Sequence, residues 1–181
     1  MKIQIIVGSV RENRVAIHVA EWMQNALHNI DAEVEVVDLK TWDLPMYSGA
    51  PPMSLKGNYS DPLQKKWSEK ITEGDAYFLI SPEYNNGYSP ALKNALDYLG
   101  TEWSGKPVGF VSYGSVNGAR SISQIRQVTT ALGMIDSNIS LLIRDIFART
   151  KSNPFEGNET EYNVLNDLAN QLIALSQKLS Q

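Results

Sequence analysis

The chain contains no cysteine. That removes disulfides, thiolate nucleophiles, cysteine-ligated zinc and cysteine-held iron–sulfur clusters in one step. Any electron transfer must then be carried by a bound cofactor. Positive charge is also short: 16 Lys and Arg stand against 20 Asp and Glu, for a formal net charge of −4. No excess is left to neutralise a phosphate backbone, so nucleic acid is not expected as a partner. Long apolar runs are missing as well. The opening stretch MKIQIIVGSV meets Gly8-Ser9 straight after Ile3–Val7, too short for a signal peptide's core or a membrane span. A cytoplasmic protein without a membrane partner is expected. Histidine is scarce: His18 and His28 lie on one predicted helix with no carboxylate at ligand spacing, so a metal site is not expected. G-x-G-x-x-G, G-K-[ST] and G-x-S-x-G are all absent, which excludes the dinucleotide fingerprint, the P-loop and the hydrolase elbow.

What is present is a regular alternation. Apolar runs at Ile3–Val7, Val34–Leu39, Ala76–Ile80, Val108–Tyr113 and Ile139–Ile143 are separated by helical patterns, such as Leu92, Ala95, Leu96 and Leu99, or Ile122, Ile125 and Leu132. Most of these runs lack in–out alternation, as strands covered on both faces do. The pattern predicts right-handed β-α-β units in an α/β doubly wound, five-stranded parallel sheet with helices on both faces. At 181 residues a single domain over 1–181 is expected. Trp22, Met23 and Trp67 fall at helical spacing and are assigned to the core. Residues 41–62 form the one long irregular stretch, expected to have no helix or strand of its own.

In such sheets ligands bind beyond the carboxyl ends of the strands, and the loops there are unusual. GSVRENR, residues 8–14, offers a sharp glycine turn, the Ser9 hydroxyl, Asn13 as a helix N-cap, and Arg11 and Arg14 beside unsatisfied N–H groups. This suits a phosphate, although a capped helix with two solvated arginines would read the same. SPEYNNGYSP, residues 81–90, halts a strand at Pro82 and starts a helix at Ser89-Pro90. Between them Glu83 to Tyr88 expose backbone amides beside planar side chains, a platform for a flat heteroaromatic ring or, more plainly, a capping loop. Glu83 itself is read as a loop-stabilising carboxylate. SYGSVNGARS, residues 112–121, has two glycines that permit close backbone approach.

These three segments, in order and spacing over roughly residues 1–150, resemble the NADPH-dependent FMN reductase family of flavodoxin-like proteins. The segment running from PEYN to LKNALDYL is the most specific part of the likeness. The resemblance implies a flavodoxin-like fold, FMN as cofactor, and NADPH or NADH as electron donor. The acceptors it implies are flavins, quinones, azo dyes or similar small molecules, reduced in two half-reactions, and the flavin rather than a catalytic side chain carries the chemistry. An FMN electron carrier or binding module without turnover is the alternative. Carried over by position, Ser9, Arg11 and the amides of Asn13 to Val15 would hold the phosphate, with Arg14 nearby. Pro82, Glu83, Tyr84 and Asn85 would line the ring and ribityl chain largely through backbone groups, and Tyr113, Gly114, Ser115, Asn117 and Gly118 would close the other side. The resemblance also implies a homodimer or homotetramer. Tyr98, Trp103 and the loop around Leu44 to Tyr47 are expected to be uncovered in one chain, the loop either walling the flavin pocket of the partner, with the ring near the subunit boundary, or folding back over its own subunit as a lid.

Overall fold

A computed structural model describes residues 1–150 and 155–179. Five parallel strands, β1 (Lys2–Val7), β2 (Glu33–Asp38), β3 (Ala76–Pro82), β4 (Pro107–Tyr113) and β5 (Ile135–Ile143), form one sheet in the order β2-β1-β3-β4-β5. This is the flavodoxin-like doubly wound order, whose switch point lies between β1 and β3. Every residue of β3 and β4 is buried, which is why those runs show no alternation. The outer strands β2 and β5 mix buried and exposed positions.

The helices are α1 (Ala16–Ala26), α2 (Leu39–Trp42), α3 (Pro52–Leu55), α4 (Pro62–Thr72), α5 (Pro90–Asp97), α6 (Ala119–Ala131), α7 (Ile146–Arg149) and α8 (Glu159–Leu179). Two apolar layers sandwich the sheet. One joins Val19 and Met23 of α1 to Leu165, Leu168 and Leu172 of α8. The other joins Trp67 of α4, Leu92 and Leu96 of α5, and Ile125 of α6. Trp22, Met23 and Trp67 are buried as assigned.

Three expectations are corrected. The stretch at 41–62 holds the end of α2 and all of α3; four-residue helices are too short to register as a periodicity. The β3 ladder runs through Pro82, which pairs with Tyr113 at a strand end where a missing N–H matters little. Tyr98 and Trp103 are covered within their own chain. Trp103 is 0% exposed, packs edge-on to Tyr77 at 5.2 Å and donates its indole N–H to Leu96 O at 3.1 Å. Tyr98 is 4% exposed and donates to Pro45 O at 2.7 Å. The long loop folds back on α5: Asn94 Oδ1 accepts from Tyr47 N at 2.8 Å, and its Nδ2 donates to Leu44 O and Pro45 O. Met46 and Met53 stay outside, at 76% and 52% exposure.

Candidate functional site

The carboxyl edge of the sheet is where the chemistry-bearing residues meet. At the end of β1, the Gly8 N–H donates to Ile80 O at 2.8 Å. A Cβ at Gly8 would stand 2.5 Å from that same oxygen, so only glycine permits so close an approach. Past the turn, α1 begins with Val15 at its N-cap and no side-chain cap. The expected Asn13 cap is not made: Glu12 and Asn13 sit in a turn, and Asn13 is exposed two residues before the cap. The N-cap residue therefore offers the first turn no side-chain acceptor, and the Ala16 N–H is directed at the Tyr113 hydroxyl, which leaves the positive end of the helix without an anionic cap.

The two arginines of this loop do different things. Arg14 forms an ion pair with Asp38 at the end of β2 and is largely buried. Its Nε is buried with no protein partner, a donor whose desolvation calls for an acceptor. Arg11 lies over the face of Tyr84, its guanidinium carbon 3.7 Å from the ring centroid. Tyr84 Oη and the buried Ser9 Oγ share a hydrogen bond of 2.8 Å. The side chain of Tyr84 thus belongs with the first loop, whereas the sequence suggested contact mainly through its backbone.

After β3, the Glu83 N–H donates to Tyr113 O at 2.8 Å, and Tyr84 and Gly87 exchange both backbone hydrogen bonds, at 2.8 and 2.9 Å. Asn85 and Asn86 occupy the two central positions with φ of 49° and 71°. This is a type I′ turn, which asparagine tolerates better than other side-chain-bearing residues. Gln124 Nε2 donates to Asn86 O at 3.0 Å, and Arg120 donates to the Asn86 side chain. Glu83 plays its expected stabilising part, accepting from Arg120 N at 3.2 Å and facing the Arg120 guanidinium at 3.5 Å. Ser89 takes the N-cap of α5 but makes no capping bond; its Oγ donates instead to Gly8 O at 2.5 Å.

Beyond β4, a Cβ at Gly114 would lie 2.8 Å from Glu83 Cβ. Asn117 N donates to Gly114 O at 3.0 Å, and Asn117 and Gly118 both have left-handed backbone, φ 60° and 81°. Tyr113 is buried, and that burial drives its phenol pKa well above the ordinary tyrosine value, so it stays a neutral hydroxyl.

One cavity of about 150 Å³ is lined by Ser9, Arg11, Asn13, Arg14, Val15, Pro82, Glu83, Tyr84 and Tyr113. Of the other residues named from sequence, Asn85 sits on the exposed turn and Ser115 is exposed. Gly114 and Gly118 serve as backbone packing points, and Asn117 lines a neighbouring cavity of about 520 Å³ with Arg144 and Thr160. The 150 Å³ cavity has one lining residue that sequence reasoning missed, Phe147 of α7. The available signal was an aromatic residue just past the last strand, on the same edge as the other loops. Among the described residues no cluster of His, Asp and Glu could hold a metal ion. Two expectations about the histidines are corrected: Glu21, three residues on, pairs with His18 at 3.1 Å, and α1 ends at Ala26, so the exposed His28 lies in the turn beyond it. The arrangement supplies a cationic, donor-rich end beside a hydrogen-bonding backbone shelf, which suits a phosphorylated flat ring.

Residues 1–146 match the family described as NADPH-dependent FMN reductase. An NAD(P)H-dependent FMN reductase of Schizosaccharomyces pombe is 39% identical over 136 residues, covering 74% of this chain and 68% of that protein. An NAD(P)H-dependent FMN reductase of Saccharomyces cerevisiae is 36% identical over 145 residues, covering 74% and 76%. Among solved structures, a flavoenzyme NAD(P)H:(acceptor) oxidoreductase from Paracoccus denitrificans superposes with a TM-score of 0.76 at 20% identity, over 98% of this chain and 97% of that one.

Proposed function

The chain belongs to the NADPH-dependent FMN reductase family, oxidoreductases that hold FMN and draw electrons from NADPH or NADH, and we propose how its loops divide that work. The observation that carries the proposal is the single cavity where the uncapped start of α1, Ser9, Arg11 and the partnerless Arg14 Nε meet Pro82, Glu83, Tyr84 and Tyr113. These groups fit FMN. Ser9, Arg11 and the amides from Asn13 to Val15 bind its phosphate. Arg14, fixed by Asp38, adds one donor rather than a bidentate fork. The rigid turn at Asn85-Asn86 and the close-packed Gly114 to Gly118 segment hold the ring system between them. Bound FMN supplies reversible two-electron chemistry, accepting hydride from the nicotinamide and passing electrons to the acceptor.

The protein's own part is to orient. Glu83 and Arg120 hold the turn, and Tyr113, kept neutral by burial, gives the cavity an uncharged wall. Flavins, quinones and azo compounds are the proposed acceptor classes, since an exposed platform imposes little shape selection. A site of action in the cytoplasm suits a catalyst that depends on NAD(P)H. Among the described residues no helix is long and apolar enough to cross a membrane.

The test is spectroscopic. Protein loaded with FMN is expected to bleach rapidly on anaerobic mixing with NADPH or NADH, and an added quinone or azo dye to restore the colour. Initial rates are expected to give parallel double-reciprocal lines. Flavin that stayed oxidised would favour the electron-carrier alternative, and intersecting lines would replace the two half-reactions with a ternary complex.

The proposed working unit is a homodimer or a higher even-numbered oligomer. Met46 stands exposed on the loop held to α5 by Asn94, and Met53 stands exposed on α3. A cavity of about 390 Å³ opens at Met46, lined by Tyr47, Tyr88 and Pro90 together with the polar Lys93, Asn94, Asp97 and Gln124. Exposed Met and aromatic clusters of this kind mark interfaces between chains. Light scattering of the FMN-loaded protein at micromolar concentration is expected to give at least twice the chain mass; a monomer mass would exclude the dimer.

A further inference from the structure

Among the described residues, Phe147 is the one lining the 150 Å³ cavity that comes from beyond β5. It lies one position past the segment matched to the family, and it is a large apolar side chain left 58% exposed. Its position is nevertheless firmly built. Asp145 has left-handed backbone, φ 51°, and turns the chain out of β5. Ile146 is 1% exposed and anchors α7 in the core layer shared with Tyr113. Arg149 closes the helix by a two-pronged contact with the buried Glu161, at 2.7 and 2.8 Å, and lies over Phe155 at 4.7 Å. With Ile146 buried before it and Arg149 tied down two residues after it, Phe147 is held out over the cavity, edge-on to Tyr113 at 6.5 Å. A phenyl group kept in water forgoes the gain of burial, so a side chain pinned there is poised for a contact the free chain does not make.

The cavity it shares contains Ser9, Arg11, Asn13, Arg14 and Val15, all from the phosphate loop. We infer that Phe147 is an apolar cover over the phosphate end of the cofactor site, excluding water and salt from the contacts of Arg11 and Ser9 with the FMN phosphate. The inference rests on the assignment of that loop to the phosphate. A charge contact shut away from water is stronger and less screened than an open one. The cover therefore contributes to the preference for a phosphorylated flavin without donating a hydrogen bond.

Phe147→Ala, Phe147→Leu and the unchanged protein, each free of cofactor, would be titrated with FMN and with riboflavin, at about 0.05 and 0.5 M sodium chloride. The alanine variant is expected to bind FMN about tenfold more weakly, to bind riboflavin within about twofold of the unchanged protein, and to lose more FMN affinity on adding salt. The leucine variant is expected to recover most of the loss, and the unfolding midpoint of the cofactor-free alanine variant to stay near that of the unchanged protein. Equal losses for FMN and riboflavin, or an unaltered salt response, would overturn the inference and make Phe147 an ordinary ring contact. If the unchanged protein bound FMN and the alanine variant matched it, the cover alone would be wrong. If the unchanged protein bound riboflavin as tightly as FMN, the phosphate-loop assignment beneath it would fall as well.

Discussion

Gly118→Ala is expected to destabilise the cofactor-free protein by about 2–5 kcal/mol, the sum of two separable costs. The first is conformational: Gly118 has φ +81°, where a side chain costs about 1–2 kcal/mol. The second is steric. A Cβ there would stand 2.0 Å from Ser112 Oγ, 2.5 Å from Ser112 Cβ and 2.6 Å from Tyr113 N. Those atoms belong to the buried strand β4, with the Ser112 hydroxyl already committed to Ser81 O at 2.6 Å. They cannot yield without disturbing the ladder, and overpacking of this kind adds about 1–3 kcal/mol. Gly105 provides the control, because its φ of +73° is nearly the same but nothing lies within 4 Å of its added Cβ. Gly105→Ala should carry only the first cost. Urea unfolding midpoints of the two variants separate the terms, and equal losses would show that close approach at Gly118 is unimportant.

The second large effect concerns the ligand. Arg11→Ala is expected to weaken FMN by about 1.5–3 kcal/mol, roughly 10- to 150-fold in the dissociation constant, the usual worth of a hydrogen bond to a charged group. Riboflavin, which lacks the phosphate, should be almost unaffected. Arg11 lies over Tyr84 rather than in an ion pair with a carboxylate, so its removal leaves no buried charge behind and the loss reports on the ligand. Fluorescence titration of the two flavins measures both. A matching loss for riboflavin would mean that Arg11 acts on the ring or on the shape of the loop instead of on the phosphate.

The parts of this protein visible in sequence are those whose cause is local. β1, β3 and β4 are buried on both faces, so their residues are mostly apolar without alternation, with Gln4, Gly109 and Ser112 among the interruptions. The Asn-Asn-Gly turn and Ser89-Pro90 announce themselves by backbone preference. What sequence could not supply depends on partners far along the chain. Arg14 reaches Asp38, 24 residues on, so its role as a strut has no local signature. Tyr98 and Trp103 look uncovered until Pro45 and Tyr77 arrive from other elements. Asn13 has the chemistry of a cap, yet the helix begins beyond its reach. Phe147 joins the cavity only because β5 ends on the same edge as β1, β3 and β4.

The hydroxyl groups behind the cavity have a consequence for how such proteins diversify. Ser89 Oγ donates to Gly8 O, Ser81 Oγ accepts from Ser89 N, and Ser112 Oγ donates to Ser81 O. Glu83 N closes the circuit on Tyr113 O. The three loops are thus stitched together by buried bonds that cross from one to the next, and side chains in one such network do not change energetically independently. Transplanting a single loop from a relative would leave buried donors and acceptors unmatched on its neighbours, at about 1–3 kcal/mol each. Exchange of all three together would carry the stitching with it. New acceptor preferences should therefore arise at the exposed rim, around Met46, Asn85 and Ser115, while the seam beneath them changes only as a unit.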